Sequence, residues 1–289
     1  MVRLPAADIR RAVRLGLEED LGQGDVTTAA LFQKPVPARA EIIAQQPLVV
    51  AGLAAAVQTF LAVDPTLTVT VVRRDGEPAK MGEPILLIAG DGRAILQAER
   101  VALNFIQHLS GIATLTHRFC RAVKGRSINI MDTRKTLPGW RAIQKWAVAL
   151  GGGVNHRMSL GDGMLIKDNH LALLPRAPQT VRAACRLAKA STTGTMPVIV
   201  EAESLPEVRQ ALAGKADIIL LDNMTPAMVR RAVTLIKGRA AIEVSGGITI
   251  KNVRAMAATG IHRISIGALT HSAPAVALSL VLTRANRQR

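Results

Sequence analysis

Tyrosine is absent from this 289-residue chain, and aromatic residues together make up only 2% of it. Single-stranded nucleic acid is held by stacking on aromatic faces, so that class of binder is poorly supplied. Cysteine is nearly as scarce. Cys120 and Cys185 have no CxxC partner, which argues against a disulfide framework and against a cysteine-rich zinc site. They read as reduced, buried, small apolar residues. No uninterrupted apolar run reaches the roughly 18–20 residues of a membrane span. The first twenty residues (MVRLPAADIRRAVRLGLEED) set Arg, Asp and Glu among the apolar positions, unlike a secretory signal. A soluble cytoplasmic protein is the expectation. Acidic residues are also in deficit: 21 Asp and Glu face 37 Lys and Arg, a net charge of +16. The basic residues are scattered, apart from small clusters such as Arg284, Arg287 and Arg289. The surplus therefore reads as solvated surface plus a site for small anions, without specific nucleic-acid binding.

What is plentiful is aliphatic. The chain is 49% hydrophobic, enough for a large core, and an α/β barrel of roughly 200–250 residues with a small appendage fits the length. Ile9, Val13, Leu17 and Leu21 share one face of a predicted helix over Ala7–Leu21. Short apolar runs then alternate with turns, at Ala40–Ala44, Leu48–Ala51, Leu67–Val72 and Ile85–Ile88, with one helical stretch at Leu53–Leu61 between them. This is the pattern of a small α/β domain. A longer helix is predicted over Ala94–Leu109. Beyond it, helices alternate with short runs rich in β-branched residues, as in parallel strands joined by crossovers.

The residues that follow each run carry most of the information. Ile128–Met131 leads into Asp132-Thr133-Arg134-Lys135, and Met164–Ile166 into Lys167-Asp168-Asn169-His170. Val198–Val200 meets Glu201, and Ile218–Leu221 meets Asp222-Asn223. Ile242–Val244 meets Ser245-Gly246-Gly247, and Ile264–Ile266 meets Gly267-Ala268. Six consecutive strand ends bear charge or a glycine turn. In a (β/α) barrel these ends converge on one face, where the active sites of that fold lie. An open doubly wound sheet gathers ligands only at its switch point.

Arg134, Lys135, Arg141, Lys145, His156, Arg157 and Lys167 form the densest group of cations. Arginine offers a planar fork to a carboxylate and lysine a compact charge. Arg141 and Lys145 suit an exposed helix surface, whereas Lys167 directly ends an apolar strand and reads as functional. The run Gly151-Gly152-Gly153 lacks the spacing of a nucleotide loop and serves equally well as a helix stop. The glycine turns at Ser245-Gly246-Gly247 and Gly267-Ala268 suit a phosphate monoester. Glu201 and Asp222 admit two roles, holding Mg²⁺ together with substrate phosphates or general acid/base work.

Several separated motifs bear on identity. They are Glu19-Asp20-Leu21-Gly22, Gly24-Asp25-Val26-Thr27-Thr28, Glu99-Arg100, Asp132-Thr133-Arg134-Lys135-Thr136-Leu137-Pro138-Gly139, His156-Arg157, Leu165-Ile166-Lys167-Asp168-Asn169-His170, Leu221-Asp222-Asn223 and Ser245-Gly246-Gly247. In this order, across essentially the whole chain, they resemble the quinolinate phosphoribosyltransferase family; Trp140 departs from it where a smaller apolar residue is expected. The resemblance implies a helical segment over 1–27, an α/β sandwich over 28–108 and an open α/β barrel over 109–289. It also implies a homodimer with shared active sites, phosphoribosyl pyrophosphate and quinolinate as substrates, Mg²⁺, and no organic cofactor. By the same resemblance Arg100 reaches quinolinate from the neighbouring subunit, and Arg134, His156, Arg157 and Lys167 grip its carboxylates. Lys135, Glu201 and Asp222 serve phosphoribosyl pyrophosphate and its metal; with Lys167 they make up the implied catalytic set. Ser245, Gly246, Gly267 and His271 take the 5′-phosphate.

Overall fold

The computed structural model describes residues 4–175, 178–192 and 196–285; Arg287 and Arg289 of the basic tail lie outside them. The chain divides into two compact units. One comprises Met1–His117, Thr136–Gly152 and Ala268–Arg289, the other Arg118–Lys135 and Gly153–Gly267.

The first unit is an α/β sandwich. Its four-stranded antiparallel sheet runs in the order Leu278–Arg284, Pro37–Ala44, Pro84–Asp91, Thr68–Val71. Along Pro37–Ala44 every second residue is buried, so Ala38, Ala40, Ile42 and Ala44 face the core while Arg39 and Glu41 face solvent. That face packs with Phe60 of the helix Leu53–Val63 and with Ile95 and Ile106 of the helix Gly92–Ala122. Burying each such large side chain contributes about 1.5–3 kcal/mol. The helix Ala6–Leu21 buries Ile9, Ala12 and Val13. The short helix Val26–Leu31 is capped by Asp25, whose carboxylate accepts the Thr28 amide at 2.9 Å.

Strand pairing assigns 278–284 to this sheet, where the sequence reading places them in the barrel. An alternating apolar run does not reveal which sheet it will join, and here it pairs in full register with Pro37–Ala44. The helix Gly92–Ala122 also runs past the predicted end at Leu109. Ser110 and Gly111 do not break it: the Ser110 hydroxyl bonds the amide and carbonyl of Ala51, and Gly111 lets the Pro274 carbonyl pack against the helix.

The second unit is an open parallel barrel. Its six strands lie in the order Asn129–Met131, Arg263–Ser265, Ala241–Ser245, Ile218–Asp222, Val198–Ala202, Met164–Ile166. Successive strands are neighbours except the first two, and between those the barrel stays open. Ile199, Ile218 and Leu220 form an apolar cluster with Leu165 and Ala241. Two residues further along three of these strands, on the same face, stand Lys167, Glu201 and Asp222. The helices between strands start with firm caps. Ser204 and Glu207 form a capping box before Leu205–Ala213, and the Thr225 hydroxyl caps Pro226–Ile236. Cys185 is buried as expected, whereas Cys120 is only partly so; burial pushes the pKa of both thiols up to about 11, which disfavours the reactive thiolate. No helix among the described residues is long and apolar enough to cross a membrane.

Candidate active site

The strand ends of the barrel carry the charged residues that the sequence places there. The Lys167 ammonium pairs with the Glu201 carboxylate on the adjacent strand end. Burial raises the Glu201 pKa, and the charges of Asp222 and Asp168 add to that, while Lys167 pulls it down. The amide of Lys167 donates to Nδ1 of His170 at 3.0 Å, which fixes the backbone from which the lysine projects.

Asp222 and Ser245 are directly paired in the parallel ladder. The Ser245 hydroxyl donates to one carboxylate oxygen of Asp222 at 2.5 Å, and Asn223 Nδ2 donates to the other at 2.8 Å. Asn223 holds a left-handed φ of 52°, and its amide donates to the Ser245 carbonyl at 3.1 Å. A side chain on Gly246 would press into Asn223, within 2.6 Å of its side-chain carbon and 2.8 Å of its amide nitrogen. Gly246 is glycine for two reasons, its φ of 84° and this close approach.

The opposite wall is built from the loops after Asn129–Met131 and around Val154, which makes a one-residue parallel bridge to Met131. Asp132 is fully buried; its carboxylate accepts Asn155 Nδ2 at 2.6 Å and the amide of His156 at 2.8 Å. It thereby ties the loop carrying Arg134 and Lys135 to the loop carrying His156 and Arg157. Arg157 donates to the Gly163 carbonyl at 2.7 Å. Burial lowers the pKa of its guanidinium and the nearby positive charge of Arg134 lowers it further, with Glu201 acting the other way. Arg134 and Arg157 are thus close enough to repel one another. Lys135 is exposed, its amide donating to the Thr133 hydroxyl at 3.0 Å. Gly267 lies two residues beyond Arg263–Ser265.

Two of the expected residues belong to the first unit. Arg100 is exposed on the helix Gly92–Ala122 and has no bonding partner among the described residues. His271 ends the helix Ala268–His271, its Nδ1 2.6 Å from the Ser272 hydroxyl. Lys145 corrects the sequence reading: it is fully buried and engaged, because the helix Arg141–Leu150 is covered on most of its circumference. Its neighbour Gln144, also buried, accepts the Leu137 amide at 3.0 Å and lies 2.7 Å from His108 Nε2. Trp140 stacks on Phe105 at 4.9 Å. Gly151 stops that helix and packs against the Ala113 carbonyl, which gives the glycine run a structural role.

Sequence reasoning missed Glu243, fully buried at the middle of Ala241–Ser245 and 3.3 Å from His156. Its signal was a lone carboxylate between Ile242 and Val244, two residues before Ser245 on the same strand face.

Among the described residues no three His, Cys, Asp or Glu side chains form a metal cluster. Glu201 and Asp222 are hard oxygen donors close enough to perturb one another. Two carboxylates suit a divalent cation that arrives with phosphate and water ligands, and do not suffice for a resident one.

An open parallel barrel with cations and two carboxylates at its strand ends defines an α/β-barrel enzyme for small anionic substrates. The family descriptions "Quinolinate phosphoribosyl transferase, N-terminal domain" and "C-terminal domain" match residues 25–110 and 112–281. The chain belongs to the quinolinate phosphoribosyl transferase family. A probable nicotinate-nucleotide pyrophosphorylase (carboxylating) of Bacillus subtilis is 39% identical over 268 residues, spanning 93% of this chain and 91% of its own. The nicotinate-nucleotide pyrophosphorylase (carboxylating) of Mycobacterium leprae is 39% identical over 272 residues, 91% of this chain and 93% of that one. The solved nicotinate-nucleotide pyrophosphorylase of Francisella tularensis is 36% identical with a TM-score of 0.88, covering 97% of this chain and 98% of that chain.

Proposed function

We propose that this enzyme transfers a phosphoribosyl group from phosphoribosyl pyrophosphate to quinolinate and decarboxylates the product, giving nicotinate mononucleotide, pyrophosphate and CO₂ for NAD synthesis. It is a glycosyltransferase of the pentosyltransferase type, nicotinate-nucleotide diphosphorylase (carboxylating). The observation that carries the reading is the cationic wall. Arg134 and Arg157 repel one another above a barrel whose Lys167 is held by Glu201. Such a gathering of positive charge favours anions, and a dicarboxylate is of that class.

In this reading Arg134, Arg157 and Lys167 hold the two carboxylates, with His156 beside them and Arg100 supplied by a second subunit. Lys135, Glu201 and Asp222 serve the pyrophosphate donor. Ser245, Gly246, Gly267 and His271 take its 5′-phosphate. Glu201 and Asp222 would hold a Mg²⁺ that arrives with the donor, which would offset the donor's negative charge, and no organic cofactor is needed. When Lys167 turns to a substrate carboxylate, Glu201 loses its ion pair and becomes available to the donor site. The ring nitrogen then attacks the anomeric carbon as pyrophosphate leaves, through an oxocarbenium-like centre, so positioning and charge do most of the work. The bond to the adjacent carboxylate breaks next. Its electrons pass to the ring carbon beside the cationic nitrogen, CO₂ departs and a proton takes its place.

A homodimer with shared sites accords with two features of the chain: Arg100 is exposed and has no partner among the described residues, and the free edge of Met164–Ile166 borders a groove of about 480 Å³. Leu160, Met164, Ile166, Leu173 and Leu187 line that groove. In this reading the enzyme works in the cytoplasm, where Cys120 and Cys185 stay reduced.

Comparison of quinolinate with nicotinate as acceptor tests the clamp. Removing one carboxylate leaves desolvated cations unpaired, at a cost of a few kcal/mol, so nicotinate should be a very poor substrate. Equal turnover of the two acids would refute the assignment.

A further inference from the structure

Glu243 has no role in the chemistry above, yet its placement is demanding. It is fully buried within the strand Ala241–Ser245. One oxygen, Oε1, accepts the Ser265 hydroxyl from the neighbouring strand and lies 3.3 Å from His156 Nε2. The other, Oε2, has no hydrogen-bond partner among the described residues. A carboxylate oxygen left in this state is unfavourable unless its partner atom is needed where it stands.

The imidazole explains the need. His156 Nδ1 accepts the backbone amide of Arg157 at 2.8 Å. A ring nitrogen that accepts carries no proton, so the proton sits on Nε2, which lies 3.3 Å from the Glu243 carboxylate. The amide of His156 is meanwhile held by Asp132 at 2.8 Å. The ring is 8% exposed, and both its nitrogens are engaged with the protein. Its Nδ1 holds the backbone of Arg157.

We infer that Glu243 is a positioning residue for the dicarboxylate site, acting through His156: it fixes the tautomer and rotation of the imidazole, which in turn fixes the backbone from which Arg157 projects. The inference rests on the quinolinate reading of the site. It gives His156 the added part of bracing Arg157.

Steady-state kinetics of Glu243→Ala and Glu243→Gln test it. Loss of the carboxylate beside the Nε2 proton should raise the KM for quinolinate at least about ten-fold in Glu243→Ala, with the KM for phosphoribosyl pyrophosphate within about two-fold of normal. Glu243→Gln keeps an acceptor for the Nε2 proton and should recover most of the loss. A folded Glu243→Ala variant with normal quinolinate KM would overturn the inference, as would an equal rise in both KM values. Should Glu243→Ala fail to fold, the wild-type protein decides. Nitrogen-15 NMR of labelled histidine, with His156 assigned through His156→Asn, should show the proton on Nε2, and a proton on Nδ1 would overturn the inference. Wild-type protein inert toward quinolinate would strike the functional reading instead, leaving the His156 tautomer to decide the positioning claim.

Discussion

Replacing Gly246 by alanine should disable the donor site through a residue that the substitution does not touch chemically. Two penalties add. Alanine at a φ of 84° occupies left-handed backbone at about 1–2 kcal/mol. Its methyl group would also fall within 2.6 Å of the Asn223 side-chain carbon and 2.8 Å of the Asn223 amide nitrogen, closer than real contacts allow. Relieving an overlap of that kind in packed surroundings costs about 1–3 kcal/mol. The fold should therefore lose about 2–5 kcal/mol in urea unfolding. What gives way is Asn223, because its own left-handed turn already needs support from the Ser245 carbonyl. Its movement frees one oxygen of Asp222 from the 2.8 Å bond that orients the carboxylate. The KM for phosphoribosyl pyrophosphate should then rise by an order of magnitude or more, with quinolinate affinity by equilibrium titration little changed. A Gly246→Ala enzyme of normal stability and normal donor KM would refute the argument that Asn223 packs on this glycine.

Three further outcomes are expected. Asp75 caps the helix Leu53–Val63 through the amides of Gly52, Leu53 and Ala54, and burial pushes its carboxyl up to about 6. A raised folded-state value means stability present below pH 4 is lost as pH rises through about 6, at most about 3 kcal/mol. Asp75→Asn should lack this loss, and parallel pH–stability curves for the two proteins would exclude it. Glu201→Gln or Asp222→Asn should weaken Mg²⁺-dependent use of phosphoribosyl pyrophosphate while sparing quinolinate binding; loss of quinolinate affinity alone would reassign the two subsites. In the proposed dimer, Arg100→Ala should leave assembly intact and remove a carboxylate contact worth about 1.5–3 kcal/mol. Verified mixed dimers with Lys167→Ala should regain up to half of normal activity, because a shared site leaves one of the two wholly wild type; no recovery would rule sharing out.

The barrel was legible because parallel strands buried on both faces announce themselves as short β-branched runs, and because charge or a glycine turn at six successive strand ends marks a single functional face. Lys167, Glu201 and Asp222 stood out as breaks in such runs. Buried polar residues were harder. Lys145 and Gln144 lie on a helix whose polar positions look solvent-facing, and only packing on most sides of Arg141–Leu150 buries them. Glu243 sits inside an apolar run, where its partners Ser265 and His156 are distant in sequence and come together only through the pairing of strands. The Leu278–Arg284 strand was misplaced for a related reason: alternation specifies a strand but not its neighbour. Asn223 and Gly246 look like an ordinary turn and a phosphate loop, and their mutual fit is a matter of ångströms that no motif records.

The central claim is that ribosyl transfer and loss of a carboxylate are coupled on one acid. Quinolinate labelled with carbon-13 in the carboxylate beside the ring nitrogen tests it directly. With the purified protein, Mg²⁺ and phosphoribosyl pyrophosphate, the label should appear as CO₂ in step with pyrophosphate, and the mononucleotide should be unlabelled. No labelled CO₂ should form when the donor is omitted. Label retained in the nucleotide, or released without phosphoribosyl pyrophosphate, would contradict the account.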